Sequence, residues 1–293
     1  MSFFNKIKSY FEKPKALDVS TRFEILREAI TGTMSNFHVV REISTGKTLG
    51  LKLLDMEKTV QLESRFKGLN KPSEGEIAMK IKHPLIVETY EHGVTVTGQQ
   101  YLLMEYVKGT NLHVMLMNRD SSIEGKRVKI IRQMSEALEA VHVAGFIHRD
   151  ICPRNYIYQH ELETIKLIDF GLTVPFLPPF TQPGNRTGTP QYMSPEVVRR
   201  RATDQRLDIF SLGVSAYQVC TYELPWTTAD ATGKAALAHD SVPPTPILEH
   251  RPKLNRTLAS LIMSCLATDP NKRPENMGNI LLALKKIRMD DQP

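Results

Sequence analysis

Residues 147–155 read IHRDICPRN. They place Asp150 five positions before Asn155. A second aspartate, Asp169, follows the strand-like run IKLI within IDFGL. A carboxylate beside a hydroxyl can take its proton. An amide oxygen and a second carboxylate are the hard oxygen donors that Mg²⁺ prefers. These are parts that phosphoryl transfer from ATP requires. The remaining parts are a cation on the α/β-phosphates and a cover over them, because this chemistry is chiefly positioning and charge stabilisation. Lys52, inside the apolar run LGLKLL, is the candidate cation. Alone it reads as a surface charge on a strand. Glu74 follows in a predicted helix and would hold it in place. Glu76 competes for that role, and Glu74 is preferred because Ile77 and Ile81 lie along its side of the helix.

The elements around these residues divide the chain. FEIL (23–26), FHVV (37–40) and LGLKLL (49–54) read as strands of an antiparallel meander, with a turn at Ser44–Gly46. Residues 72–82 read as a helix, and LIVETYEHGV and QQYLLMEYV return to strand character. From about residue 112 helical periodicity takes over. Val128, Ile131, Met134, Leu138 and Val141 share one helix face that closes on Gly145. NYIYQ and TIKLIDF are short strands. LDIFSLGVSAYQVC and LASLIMSCLAT are apolar enough to be buried helices. A Pro-rich stretch, PFLPPFTQP, lies between the two groups, and the junction of the β-rich and α-rich parts falls at Tyr106–Gly109.

At 293 residues the chain can hold one large domain or a two-part fold with a real core. Its 41% hydrophobic and 24% charged residues exclude a disordered chain. The net charge of +6 is mild and dispersed, which fits anionic ligands and argues against a nucleic-acid partner. The three cysteines, Cys152, Cys220 and Cys265, show no zinc or disulfide spacing and fit a reducing, cytoplasmic setting. No apolar run reaches the ~20 residues of a membrane span. In residues 1–21, Phe3, Phe4, Ile7, Tyr10 and Phe11 follow helical spacing among lysines. The plain expectation is a helix docked on the domain's own surface, and the alternative is a basic amphipathic helix on a membrane or partner.

Three further pieces complete an ordered set. GTPQYMSPE (188–196) carries Glu196, which needs a partner if buried. Arg273 in DPNKRP is the candidate. Asp208 opens the helix LDIFSLG, either as a simple cap or as an anchor for the backbone of the HRD loop. With Lys52, Glu74, HRDICPRN and DFG, this set resembles the eukaryotic-type (Hanks-type) serine/threonine protein kinases and is similar to their bacterial members. The resemblance implies an α+β, two-lobed protein-kinase-like fold, with a small β-rich N-lobe over 22–106 and a larger α-helical C-lobe over 107–287. Residues 288–293 are then a tail. It implies ATP in the cleft between lobes, Asp150 as base, Asn155 and Asp169 on Mg²⁺, and Lys52 on the α/β-phosphates held by Glu74. Met104 becomes the gatekeeper, and Glu105 and Val107 offer hinge backbone groups to adenine. Gly32, Phe37, Gly50, Asn111 and Ile157 complete the implied nucleotide-binding set. The implied partner is a protein serine or threonine. Arg149, directly before the base, implies a phosphate on the activation segment, with Thr187 and Thr181 as acceptors.

The chain departs from the family pattern in three places. The glycine-rich loop is ITGTMS (30–35), with only Gly32 kept, which should weaken the phosphate cover. Phe37 and Gly50 stand where the family carries a valine and an alanine against adenine. One side chain grew and the other shrank, so pocket volume can be kept. Cys152 stands where a lysine usually meets the γ-phosphate. Arg154 is the candidate replacement, and a solvated surface charge is its other reading. Thr189, able to hydrogen-bond Asp150, marks the serine/threonine class. Two other readings stay open: a pseudokinase scaffold with weak or altered nucleotide binding, and a small-molecule kinase, against which GTPQYMSPE argues.

Overall fold

The computed structural model describes residues 16–32, 34–184, 186–226 and 233–291. Most of the helix expected over residues 1–21 lies outside them. Contacts divide the chain into two compact units. One comprises the described residues of Met1–Lys67 together with Glu88–Tyr106, and the other comprises Gly68–Val87 with the described residues from Val107 onward.

The first unit is built on a five-stranded antiparallel sheet. Its strands are β1 (Phe23–Thr31), β2 (Ser35–Glu42), β3 (Thr48–Leu54), β4 (Thr89–Val94) and β5 (Gln100–Glu105), in the order β1-β2-β3-β5-β4. Successive side chains on a strand face opposite ways. On β3, Leu49 and Leu51 enter a core with Leu17, Phe23, Val40, Tyr101 and Leu103. Gly50 and Lys52 therefore share the other face. Leu17 joins the sheet through backbone bonds with Val94 and Val96, both 2.9 Å. A four-residue helix, α1 (Val19–Arg22), follows, capped by Asp18. The run 85–94 is strand only from Thr89. Its first residues belong to the second unit, where Leu85 and Val87 bond the backbone of Leu167. α2 (Met56–Ser64), which the apolar pattern did not announce, buries no residue.

The second unit opens with α3 (Glu74–Lys80), capped by Ser73. Beyond Val107 come β6 (Thr110–Asn111), α4 (Leu112–Met117), α5 (Arg127–Val143), β7 (Phe146–Ile147), β8 (Tyr156–Gln159), β9 (Thr164–Leu167) and β10 (Val174–Pro175). The helices α6 (Pro195–Val198), α7 (Arg206–Thr221), α8 (Gly233–Ser241), α9 (Ile247–His250), α10 (Arg256–Cys265) and α11 (Met277–Leu284) follow. The expected apolar face of α5 is buried at all five positions, and the helix stops two residues before Gly145. α7 is buried on every side from Leu207 to Thr221. α10 is not: it buries Leu258, Ala259, Ile262 and Cys265 and turns its other face outward. No helix among the described residues is long and apolar enough to cross a membrane.

The start of α5 depends on a residue from the far end of the chain. Lys126 gives it no side-chain cap. The buried carboxylate of Asp290 accepts the N–H groups of Arg127 (3.0 Å) and Val128 (2.9 Å) instead. The fully buried Arg127 guanidinium binds Glu124, Tyr222 and the Val219 carbonyl beside it. Arg251 pairs with Asp291 through two bonds of 2.7 Å. The residues expected to be a tail after 287 thus close the helical unit. Replacing Asp290 by Ala should cost about 2 kcal/mol, the upper range for a lost cap. Urea unfolding should show it as a lowered midpoint, while Met289→Ala, at an exposed neighbour, stays within about 0.5 kcal/mol of the parent.

Candidate active site

The backbone of the HRD loop hangs from one buried carboxylate. Asp208, 0% exposed near the start of α7, accepts the N–H groups of His148 and Arg149, each at 2.8 Å, and binds His142 Nε2 at 2.9 Å. Burial opposes its charge. The hydrogen bond and charge of His142, with His148 beside it, nevertheless hold its pKa below the usual carboxylate range. Asp208 is therefore more than a helix cap. Arg149 takes φ +70°, a left-handed conformation that a side chain resists, and the loop turns there. His148 Nδ1 then accepts the Asp150 N–H at 3.2 Å, and burial lowers the His148 pKa despite three nearby carboxylates.

Asp150 is held from two further directions. Its Oδ1 accepts the Thr189 N–H at 2.9 Å and the Thr189 hydroxyl at 2.7 Å. Its Oδ2 and its backbone carbonyl accept Asn155 Nδ2 at 3.1 and 2.7 Å. Thr189 reaches this place because Gly188 takes φ +126° against the Arg149 carbonyl, where an added Cβ would sit 2.7 Å from the oxygen. The activation segment is ordered through its main chain: β10 pairs with β7, Thr203 N–H bonds the Thr181 carbonyl, and Gly184 N–H bonds the Arg200 carbonyl. The Thr181 hydroxyl bonds the Pro178 carbonyl at 3.2 Å, and Thr187 is half-buried.

Asp169 Oδ1 accepts the Gly171 N–H at 2.8 Å. A Cβ added at Gly171 would lie 3.2 Å from that oxygen and 3.4 Å from Oε2 of Glu74, so both carboxylates flank the DFG glycine. Glu74 is buried. Glu76 is exposed and committed to the capping box of α3, where it accepts the Ser73 N–H at 2.7 Å. Behind the ledge that follows Thr189, Glu196 and Arg273 form the expected pair, bidentate at 2.7 and 2.8 Å and wholly buried. Ser211 and Gln218 of α7 hold the Tyr192 carbonyl and hydroxyl.

In the first unit, Lys52 is 6% exposed on the sheet face opposite the core, opposite Phe37 on β2. Gly50 on that face pairs with Met104 on β5. The Gly32 N–H closes a tight turn onto the Ser35 carbonyl at 2.8 Å, so one amide of the reduced glycine loop serves the turn. The Glu105 N–H is likewise engaged, by the Glu88 carbonyl.

A sequence profile of the protein kinase domain matches residues 23–282. The chain belongs to the protein kinase family. Among curated relatives, the serine/threonine-protein kinase pkn3 of Myxococcus xanthus is 32% identical over 282 residues, 89% of this chain and 50% of the relative. The serine/threonine-protein kinase pkn2 of the same organism is 30% identical, over 92% of this chain and 33% of its own length. PknB of Mycobacterium tuberculosis, also named a serine/threonine-protein kinase, is 28% identical over 94% of this chain and 44% of its own. The chain spans half the length or less of these relatives. The family is the eukaryotic-type, serine/threonine branch found in bacteria, and the kinase fold accounts for a β-rich first unit and a helical second one.

Against that family, three residues of this kinase chain take other places than a substrate-facing role alone. Asn111 Oδ1 caps α4 through the His113 N–H, and its Nδ2 bonds the Arg154 carbonyl at 2.6 Å. Ile157 lies half-buried on β8, paired with Asn111. The Arg154 side chain is exposed. His142, which no spacing rule singles out, proves to be the side-chain partner of Asp208. Gln205 adds bonds to the carbonyls of His142 and Phe146.

Cys152 is 1% exposed, with Sγ 3.8 Å from the Thr189 hydroxyl. Burial, with the charge of Asp150, pushes its thiol up to about 12. It is no reactive thiolate at neutral pH. Burial likewise raises Cys220 and Cys265 to about 12. At pH 8 the native protein should therefore take up less than one equivalent of a thiol-specific dye within minutes, and three once urea unfolds it. Rapid native labelling at Cys152, mapped by peptide mass spectrometry, would contradict this geometry.

Proposed function

We propose that this chain is an ATP-dependent serine/threonine protein kinase, with Asp150 as its base. The observation that carries the reading is the setting of the Asp150 carboxylate. Oδ1 is filled by both donors of Thr189, and Oδ2 takes one bond from Asn155, which leaves Oδ2 lone-pair capacity for an incoming hydroxyl. The substrate hydroxyl proton passes to Asp150. Its oxygen forms the bond to the γ-phosphorus as the bond to the β–γ bridging oxygen breaks, and ADP leaves with that electron pair. GTPQYMSPE, held by α7 and the Glu196–Arg273 pair, supports a peptide ledge and so a protein substrate.

Mg²⁺ fits the donors present. Asn155 spends its Nδ2 on Asp150, so its Oδ1 is the amide end for a cation, and Asp169 adds a carboxylate. No group of three or more His, Cys, Asp or Glu side chains among the described residues forms a metal cage. One amide and one carboxylate suit an ion that arrives on substrate phosphates. When bound, Mg²⁺ neutralises charge on the phosphates. Lys52 takes the α/β-phosphates and Glu74 is its partner. Met104, the Glu105 carbonyl and the Val107 N–H face adenine. Gly32 covers the phosphates, and Asn111 positions the loop carrying Arg154. Arg154 supplies the γ-phosphate cation that Cys152 lacks. Its guanidinium is exposed, and its charge is felt at His113 and Tyr192. Thr187 and Thr181 are the proposed sites of autophosphorylation. The three free, buried cysteines support a cytoplasmic setting.

Incubation of the chain with Mg²⁺ and ATP, followed by peptide mass spectrometry, tests the reading. Phosphate should appear on Thr187 or a neighbour, and Asp150→Asn should lower its rate about a thousandfold. The absence of a cation at Cys152 favours one competitor, a pseudokinase scaffold. That reading gains if neither protein labels itself or a generic acceptor, with Mn²⁺ as well as Mg²⁺.

A further inference from the structure

The sheet face that carries Lys52 is built unusually next to it. β2 and β3 pair so that Phe37 stands opposite Lys52 and Val39 opposite Gly50. The Phe37 ring does not stay over its own pairing partner. It leans diagonally along the sheet, onto Gly50. A Cβ placed on Gly50 would lie 2.8 Å from both Cε2 and Cζ of the ring, and 3.2 Å from Cγ of Met104. Both ring contacts are closer than carbon atoms approach one another. Gly50 is glycine because the ring occupies the space of its missing side chain. This face lies opposite the unit's core, and the ring on it remains half-exposed.

A nucleoside triphosphate has a flat, apolar base at one end and anionic phosphates at the other. The face has a flat aromatic ring beside a buried cation. We propose that the Phe37 ring, in place of a side chain on β3, is the surface on which this kinase seats the purine of its nucleotide, and that Gly50 is there to admit it. The inference rests on the kinase reading above and adds the residue that selects the base. Aromatic rings stack on nucleobases through their faces, and the larger purine gains more than a pyrimidine. Phe37 therefore sets both affinity and the preference for purines, while Gly50 acts as its positioning residue.

The test is a double-mutant cycle on the full chain, with Phe37→Val, Gly50→Ala and the pair combined. Calorimetry with MgADP and MgCDP gives affinity, and thermal unfolding without nucleotide gives the packing. Phe37→Val should weaken MgADP binding about tenfold and shrink the preference for MgADP over MgCDP. Gly50→Ala should lower the unfolding temperature and weaken MgADP binding by at least as much, because the new methyl displaces the ring. The double variant should unfold above Gly50→Ala and bind MgADP within about threefold of the parent, since Val with Ala refills the same volume. Parent binding with additive single effects, or unchanged affinity in Phe37→Val, overturns this inference alone. A parent that binds no MgADP overturns the kinase reading and this inference with it.

Discussion

The catalytic loop depends on a carboxylate that never meets substrate. Asp208 is fully buried, where an unpartnered charge would cost several kcal/mol. It stays charged because three donors converge on it, and two of them are consecutive backbone N–H groups of His148 and Arg149. That requirement works in both directions. The loop satisfies the buried charge, and the buried charge fixes the loop's path. Arg149 can keep a left-handed φ because both flanking peptide groups are pinned. α7 is buried along nearly its whole length, so the anchor itself has little freedom to move.

From that anchor the geometry passes outward through shared atoms. The Arg149 carbonyl is the surface on which Gly188 rests. Gly188 delivers Thr189, and Thr189 fills one oxygen of Asp150 with two bonds. Asn155 fixes the other oxygen and, through its backbone, the start of the strand pair that carries Asp169: the Ile168 N–H bonds the Asn155 carbonyl at 3.0 Å. Asp150, Asn155, Asp169 and Thr189 are therefore parts of one hydrogen-bonded frame. Removing any member leaves a buried donor or acceptor without its partner, which is the costly direction for such a network.

Period and motif made much of this legible in the sequence. The alternation of LGLKLL placed Lys52 away from the core, and Ile77 and Ile81 distinguished the buried Glu74 from Glu76. The capping box shows why that choice was open at all: Ser73 and Glu76 form a strong local signal that competes for the glutamate. The size exchange between Phe37 and Gly50 was readable as a volume argument, although its diagonal direction was not. Contacts over long separations had no local signature. Asp290 lies more than a hundred residues from the helix it caps, and a lone aspartate near a chain end carries no periodicity. α10 reads as apolar, but composition does not say which face a neighbour covers. His142 sits at a helix end among small residues, and only its partner gives it a role.

Cys152 answers to the same frame. The site beside Asp150 is closed by Thr189, Tyr156 and Tyr192, all on buried or half-buried surfaces, and the thiol there is neutral. A neutral group of this size leaves the Thr189 hydroxyl free to donate to Asp150 without a competing ammonium. The charge that a lysine would bring to the γ-phosphate is absent from that point, so it must come from the metal or from outside the buried frame. Arg154 lies outside it, exposed, on a backbone whose carbonyl Asn111 fixes. A guanidinium placed there is fully hydrated until phosphate arrives, so it adds no desolvation cost to the resting fold and acts when the nucleotide is present.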